Sequence, residues 1–404
     1  MFSGKWLEER AQDVYTKINY QYIERASRER KGNGMHYRAF GNTGVAVSAL
    51  GFGCMRFPTQ DGKIWEEKAI AMLREAIDAG VNYIDTAYFY HDGQSEELVG
   101  KALRDGYREK VNVATKMPPW HIESPEDFDR IFEDQRRKLG VDCIDFYLLH
   151  ALGRDTWENK VLKFDLISKV EKLKAEGKIR FMGFSFHDDF EAFRMMVDAC
   201  DHWDFCQLQL NYIDVNNQAG IRGLEYAAAR GMGVIVMEPL LGGKLADPPA
   251  GVKAVLPPER TPVEWALDFL WDRPEVSLLL SGMSTPQQVT DNLLYADRSA
   301  VGMLTPEQRE MFVRAKTVYD TMALVPCTKC SYCMPCPMGV NIPGVFEAYN
   351  RSAVSMDEAK PLYAALDGHT GEQCIACGQC QQVCPQKIAI SEVLPKAHAV
   401  FQQD

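Results

Sequence analysis

Two features of the 404-residue sequence predict its fold class. Eight short apolar runs alternate with amphipathic helical stretches between residues 36 and 300, which predicts an α/β chain of the (β/α)8, or TIM-barrel, class. Eight cysteines crowd into residues 327–384, which predicts a small α-rich, ferredoxin-type iron-sulfur domain after the barrel. The expected layout is an N-terminal stretch over 1–34, a barrel over 35–322 and the cysteine-rich domain over 323–404. Composition fits a globular chain, with 46% hydrophobic and 25% charged residues and no apolar run long enough to span a bilayer.

Residues 1–34 are polar and helix-prone, with Trp6, Leu7, Val14, Tyr15, Ile18 and Tyr22 forming a partial helical stripe. Either they form a docked helix, or translation properly starts at Met35 and the preceding codons are a mis-assigned start. HYRAFGNTGVAVSAL reads as a hairpin with Gly-Asn-Thr-Gly as its turn. The barrel strands are predicted at 49–54, 83–87, 111–116, 143–150, 179–185, 205–210, 233–238 and 276–281. Each is a continuous apolar run, as buried parallel strands are. Helical patterns such as EEKAIAMLREAIDAG and DLISKVEKLKAEG lie between them and end in glycine, a helix stop. A last helical pattern over 306–322 leads to Val325-Pro326, where the second domain is placed. The tail beyond is poor in long apolar runs, so a metal centre is expected to stand in for a large core.

The tail carries CTKCSYCMPCP (327–337) and CIACGQCQQVCP (374–385). The second is the C-x2-C-x2-C-x3-C-P run of bacterial ferredoxins, in which three cysteines hold one cubane and the fourth reaches to the other. By that logic Cys327, Cys330, Cys333 and Cys384 hold one [4Fe-4S] cluster, and Cys374, Cys377, Cys380 and Cys336 hold the second. The first motif departs from the run, with two residues before its last cysteine. Zinc is the competing reading, but structural zinc sites use separated C-x2-4-C pairs, which a third cysteine three residues on does not suit. Cys143, Cys200 and Cys206 read as core, while Cys54 ends the first strand at the face where barrel chemistry sits.

In a TIM barrel the chemistry gathers at the C-terminal ends of the strands. Asp85 follows the second strand with Tyr90 in its loop, Lys116 ends the third and His150 ends the fourth. A tyrosine with an ordinary pKa near 10 donates a proton more readily beside a cation. Lys116 supplies that cation, Asp85 holds the ammonium and His150 orients a carbonyl oxygen.

The pieces YIDTAYFYHDGQSEELVGKAL, VNVATK, DFYLLH, GFSFHD, FCQLQLNY, VMEPLLGGKL and SGMSTPQQVTDNL resemble the aldo-keto reductase family, and the whole chain resembles its iron-sulfur-fused branch. Asp85, Tyr90, Lys116 and His150 match that family's catalytic tetrad. The resemblance implies NAD(P)H-dependent reduction of a carbonyl, or oxidation of an alcohol, with Tyr90 as general acid. It also implies that Ser185 and Gln207 hold the nicotinamide amide, although Phe186 stands where asparagine is usual. Met237 occupies the place of an aromatic that stacks on the nicotinamide. Gly282 and Gln288 stand where NADPH-binding members carry a lysine and an arginine, with Asp291 and Asn292 following. Lacking those cations, the site is expected to prefer NAD(H) to NADP(H).

Hydride carries two electrons and a cluster moves one, so the two centres need a flavin or a radical-tolerant substrate to communicate. Three roles for the clusters follow: wiring the barrel to a ferredoxin or flavoprotein partner, serving a flavin or direct cluster route, or acting structurally. A relay is favoured because a staple would need one cluster, not two. The competing function is an electron-transfer protein that uses its barrel as a docking platform. A net charge of −11 speaks against nucleic acid and acidic membranes as partners. The cysteine usage, with no secretory signal, points to a reducing cytoplasm.

Overall fold

The computed structural model describes residues 34–322, 324–353 and 356–402, so the expected N-terminal helix over 1–34 lies almost wholly outside the described residues. Hairpin strands β1 (Tyr37–Ala39) and β2 (Ala46–Ser48) precede the barrel. The barrel strands are β3 (Leu50–Gly53), β6 (Tyr83–Asp85), β7 (Asn112–Met117), β8 (Ile144–Leu152), β9 (Ile179–Phe186), β10 (Phe205–Gln209), β11 (Gly233–Met237) and β12 (Leu278–Ser281). Each begins and ends within two residues of its expected run. A two-strand ribbon, β4 (Thr59–Gln60) with β5 (Lys63–Ile64), follows β3.

All eight barrel strands pair in parallel, and β12 closes on β3 with Leu279 opposite Leu50 and Ser281 opposite Phe52. Buried on both faces, they need no alternation of polar residues. The helices between them are α1 (Glu66–Asp78), α2 (Ser95–Ala102), α3 (Pro125–Leu139), α4 (Leu166–Ala175), α5 (Phe190–Asp198), α6 (Gly220–Ala228), α7 (Pro262–Trp271) and α8 (Pro286–Asp297). Helix α3 shows how sequence sets such an element. Ser124 and Asp127 form a capping box, Pro125 starts the helix and Gly140 ends it with φ +66°.

The hairpin seals the N-terminal end of the barrel. Phe40 is fully buried and packs on Tyr83, Phe146 and Phe205, with ring centroids 6.2, 4.8 and 5.5 Å away. Gly233 at the start of β11 makes room for it, because a Cβ there would sit 2.5 Å from the Phe40 ring. Arg38 anchors the same hairpin by donating to the carbonyls of Arg273 and Val276, each at 3.0 Å, and to that of Trp271.

The chain divides into two compact units. The first holds the described residues to Leu210, with Ala219–Pro239 and Leu270–Met303. The second holds Asn211–Gln218, Leu240–Phe269 and everything from Leu304 onward. This differs from the sequence boundary at 322/323. Helix α9 (Pro306–Met322) and the loops after β10 and β11 belong with the C-terminal part, for a packing reason. Phe312 of α9 packs against Tyr212 and Phe269 at 5.2 and 5.1 Å.

Beyond α9 come α10 (Ile342–Ser352), α11 (Met356–Ala364) and α12 (Ile390–Val400). They enclose a small core that includes Val340, Phe346, Leu366 and Leu394, with five of the eight motif cysteines packed at its edge. None of the described helices is long and apolar enough to cross a membrane.

Phe40→Ala should open a cavity at the barrel base. Stability should fall by about 3–5 kcal/mol, read by chemical denaturation of the first unfolding transition.

Candidate functional site

At the other end of the barrel, β6 and β7 deliver Asp85 and Lys116 into full burial. Lys116 Nζ donates to Asp85 Oδ1 at 2.6 Å, to the Thr86 carbonyl at 2.8 Å and to the Tyr90 hydroxyl at 3.3 Å. Burial pushes the Asp85 carboxyl up, and the adjacent ammonium works against that push. Burial, then Asp85, Cys54 and Glu238, raise the Tyr90 phenol well above its ordinary value, so it stays protonated at neutral pH. His150 is held well below its ordinary value by burial first and by Lys116 and His187 next, which keeps the imidazole neutral. Its ring lies edge-on to Tyr90 at 6.1 Å and 5.1 Å from Trp120. The four residues singled out in the sequence therefore converge. They form a protonated phenol beside a desolvated cation, with a neutral imidazole across from it.

Residues that the sequence reading did not single out hold this group. Strand β8 carries a register shift between Leu149 and Leu152, with Ala151 at φ +52°, immediately after His150. Such a bulge re-aims the neighbouring side chain. The first turn of α2 braces the cation on two sides. Ser95 Oγ is 2.8 Å from Thr86 Oγ1 and donates to the Cys54 carbonyl, so the Thr86 carbonyl that meets Lys116 is fixed. Glu96, fully buried, accepts from Thr115 at 2.6 Å and from Gln135 at 2.9 Å. Gln135 also donates to the Lys116 carbonyl at 2.9 Å and accepts from Tyr147 at 2.7 Å. A buried acid within a helical pattern was the available signal, but its partners lie on other elements.

The expected nicotinamide contacts divide. Ser185 Oγ accepts from the Ala151 amide at 2.7 Å and is buried. Gln207 Nε2 reaches the Met237 sulfur at 3.5 Å, while Gln207 Oε1 is buried with no partner among the described residues. That orphaned acceptor suits the NH2 of a carboxamide. The Phe186 ring packs on Phe193 of α5 at 5.2 Å, so it does not take over the role of the missing asparagine. Gln288 is occupied as a helix cap, its Oε1 accepting from the Ser284 amide at 2.7 Å. Asp291 accepts from Gln287, and buried Asn292 donates to Ser281 at 3.0 Å. The surprise is Arg56: a Cβ on Gly282 would lie 3.1 Å from its side chain, and its carbonyl accepts from Ser284. Trp120 and Phe89 stack near His150, centroids 5.9 Å apart. Phe57 is buried against Phe52, and Tyr212 is core of the second unit. Cys54 is fully buried, and burial pushes its thiol up, so it is inert beside the site.

In the second unit Cys327, Cys330 and Cys384 lie about Cys333, and Cys336, Cys374 and Cys377 lie about Cys380. The Cys333 thiol is pushed up to about 12 by burial first, then by Cys330, Cys327 and Cys384 around it. Cys380 is raised by burial and then by Cys374, Cys377 and Cys336. All eight are free thiols. The backbone repeats between the motifs. Lys329 and Ser331 flank Cys330 with φ +59° and +64°, and Ala376 and Gly378 flank Cys377 with φ +54° and +76°. Gly339 and Lys387, three residues after Cys336 and Cys384, are also left-handed, and Ile342 and Ile390 begin α10 and α12 in matching places. Non-glycine residues adopt this conformation at a cost of about 1–2 kcal/mol. Its recurrence marks two copies of one loop, each wrapping a centre. The duplication was visible in the sequence as CPMGVNI against CPQKIAI, offset by 48 residues. Two four-thiol sets from such loops suit cubane iron.

The comparisons agree with this architecture. Residues 49–251 match the aldo/keto reductase family, and residues 326–389 match the 4Fe-4S dicluster domain. The L-galactose dehydrogenase of Arabidopsis thaliana is 29% identical over 278 residues, covering 63% of this chain and 86% of that protein. The aldo-keto reductase AKR11C1 from Bacillus halodurans, in its holo form, superposes with a TM-score of 0.59 at 27% identity, covering 70% of this chain and 96% of its own. An aldo-keto reductase from Klebsiella pneumoniae in complex with NADPH gives a TM-score of 0.56 at 27% identity, covering 68% and 93%. The fold and site define an oxidoreductase barrel fused to a dicluster domain. The chain belongs to the aldo/keto reductase family.

Cys384→Ser and Cys336→Ser should each disable a different cluster. Iron should fall by roughly half in either variant, with distinct residual electron paramagnetic resonance spectra.

Proposed function

We propose that the barrel reduces a small-molecule carbonyl, or oxidises the corresponding alcohol, with Tyr90 as the general acid or base. The observation that carries this reading is the contact of Lys116 Nζ with both Asp85 and the Tyr90 hydroxyl inside a desolvated site. A bound nicotinamide supplies the hydride. The phenol donates its proton to the carbonyl oxygen as the alcohol forms, and the adjacent ammonium stabilises the phenolate left behind. Neutral His150 orients the same oxygen by hydrogen bonding, without adding charge. Ser185 and Gln207 would hold the carboxamide, with Met237 against the ring.

We favour NAD(H), because Gln288 is committed to capping α8 and Asp291 adds a negative charge. Arg56 supports the alternative: an exposed guanidinium whose stem lies at Gly282 could meet a 2′-phosphate. The NADPH-bound neighbour is in line with that alternative.

Cys327, Cys330, Cys333 and Cys384 would hold one [4Fe-4S] cluster, and Cys374, Cys377, Cys380 and Cys336 the other. We assign them an electron relay to or from a ferredoxin or flavoprotein partner, with a flavin between hydride and single-electron chemistry where the two meet. A reducing cytoplasm is the compartment in which such thiolates persist. An electron-transfer protein with a barrel platform is the alternative, and the convergent tetrad weighs against it.

Tyr90→Phe should lower carbonyl reduction on the order of 10²–10⁴-fold while leaving the cluster absorbance unchanged. Full activity in that variant would remove Tyr90 from the proposed role. The raised phenol remains a donor up to pH values above about 10, and the lowered imidazole stays neutral below about 6.5. The reduction rate should therefore show no inflection between these values, and a limb near 6.5 would contradict the account. Titration of the holoprotein should give a lower Kd for NADH than for NADPH. The reverse order, abolished by Arg56→Ala, would establish the alternative.

A further inference from the structure

A third group of ligating side chains lies in the barrel unit, apart from both the tetrad and the cysteine motifs. Glu171 on α4 and Cys200 and His202 on the loop between α5 and β10 bring an oxygen, a sulfur and a nitrogen within 4.8 Å of one another. Helix-to-strand loops lie at the N-terminal end of the barrel, opposite the catalytic mouth. His202 Nδ1 and Glu171 Oε1 already meet at 2.5 Å. Cys200 is nearly buried, and burial first pushes its thiol up, with the His202 backbone working against that push and Glu171 and Asp201 adding to it. Cys200, Asp201 and His202 form a short Cys-x-His turn. The turn is itself held in place: Trp203 Nε1 donates to the Met196 carbonyl at 3.0 Å, and Lys174 pairs with Asp204 at 2.5 Å.

We propose that Glu171, Cys200 and His202 bind a divalent zinc-class cation. The set of one thiolate, one imidazole and one carboxylate is zinc chemistry, and its two negative charges balance the ion. Bonds of about 2.3 Å to sulfur and 2.0–2.2 Å to nitrogen and oxygen place such donors some 3–4 Å apart. Glu171 and His202 are part-exposed and exposed, so small rotations can exchange their mutual hydrogen bond for two metal bonds. Water fills the fourth position. The ion would tie α4 to the α5–β10 loop as a structural staple, and the Cys200 thiol would release its proton on binding.

The test uses the anaerobically purified holoprotein with both clusters in place, incubated with zinc sulfate and desalted. Zinc and iron are counted by elemental analysis, and the zinc shell is read by X-ray absorption. The proposal predicts about one zinc per chain with a single sulfur neighbour. Cys200→Ser and His202→Ala should both lose the zinc and keep their iron. The exposed His202 guards against a folding artefact in the cysteine variant. Failure of the native protein to retain zinc would overturn the proposal. So would native zinc levels in either variant, or a zinc shell made mostly of sulfur, which would indicate misloaded cluster motifs.

Discussion

The C-terminal end of the barrel is organised around one desolvated ion pair. Lys116 is fully buried, and its ammonium has a carboxylate, a carbonyl and a phenol as partners. A charge taken out of water is tolerated only when its donors are matched, and removing one partner of such a pair typically costs about 3–5 kcal/mol. The surroundings serve that match. Strand register sets Asp85 beside Ala114, two residues before Lys116, and the first turn of α2 locks the Thr86 carbonyl and the backbone around Lys116. The buried Glu96–Gln135–Tyr147 network spends polar groups where apolar packing would be simpler. Its effect is to leave the Lys116 peptide no alternative arrangement.

The cluster-bearing unit depends on a different source of order. Its apolar core is small, and its two cysteine loops hold non-glycine residues in left-handed backbone that an unliganded loop has no reason to adopt. Metal–thiolate bonds would offset that strain, as they do in small metallodomains generally. The two units thus stand on different physics, burial and electrostatic pairing in one and coordination in the other.

Much of this was legible in the sequence. The eight strands were readable because parallel barrel strands are apolar on both faces, and the tetrad because each member ends a strand or follows one. The dicluster domain was readable because cubane coordination imposes short cysteine spacings. What escaped was anything created by contact between distant elements. Glu96 looked like one acid of a helix, and Gln135 like one of several polar residues on another. The bulge at Ala151 has no compositional mark. That the Phe186 ring turns to Phe193 depends on α5. Arg56 approaches Gly282 only because β12 closes on β3. Tyr212 is held by Phe312 from a helix about a hundred positions away, a contact that no local pattern marks.

Coupling between the Lys116 ammonium and the Tyr90 phenol is the claim on which the rest depends, and a double-mutant cycle measures it directly. Lys116→Met, Tyr90→Phe and the double variant would be compared with the native chain in reducing one aldehyde at saturating nicotinamide. If the ammonium acts through the phenol, the double variant is no slower than the slower single variant. Losses that multiply would show the two groups acting independently and would contradict the account.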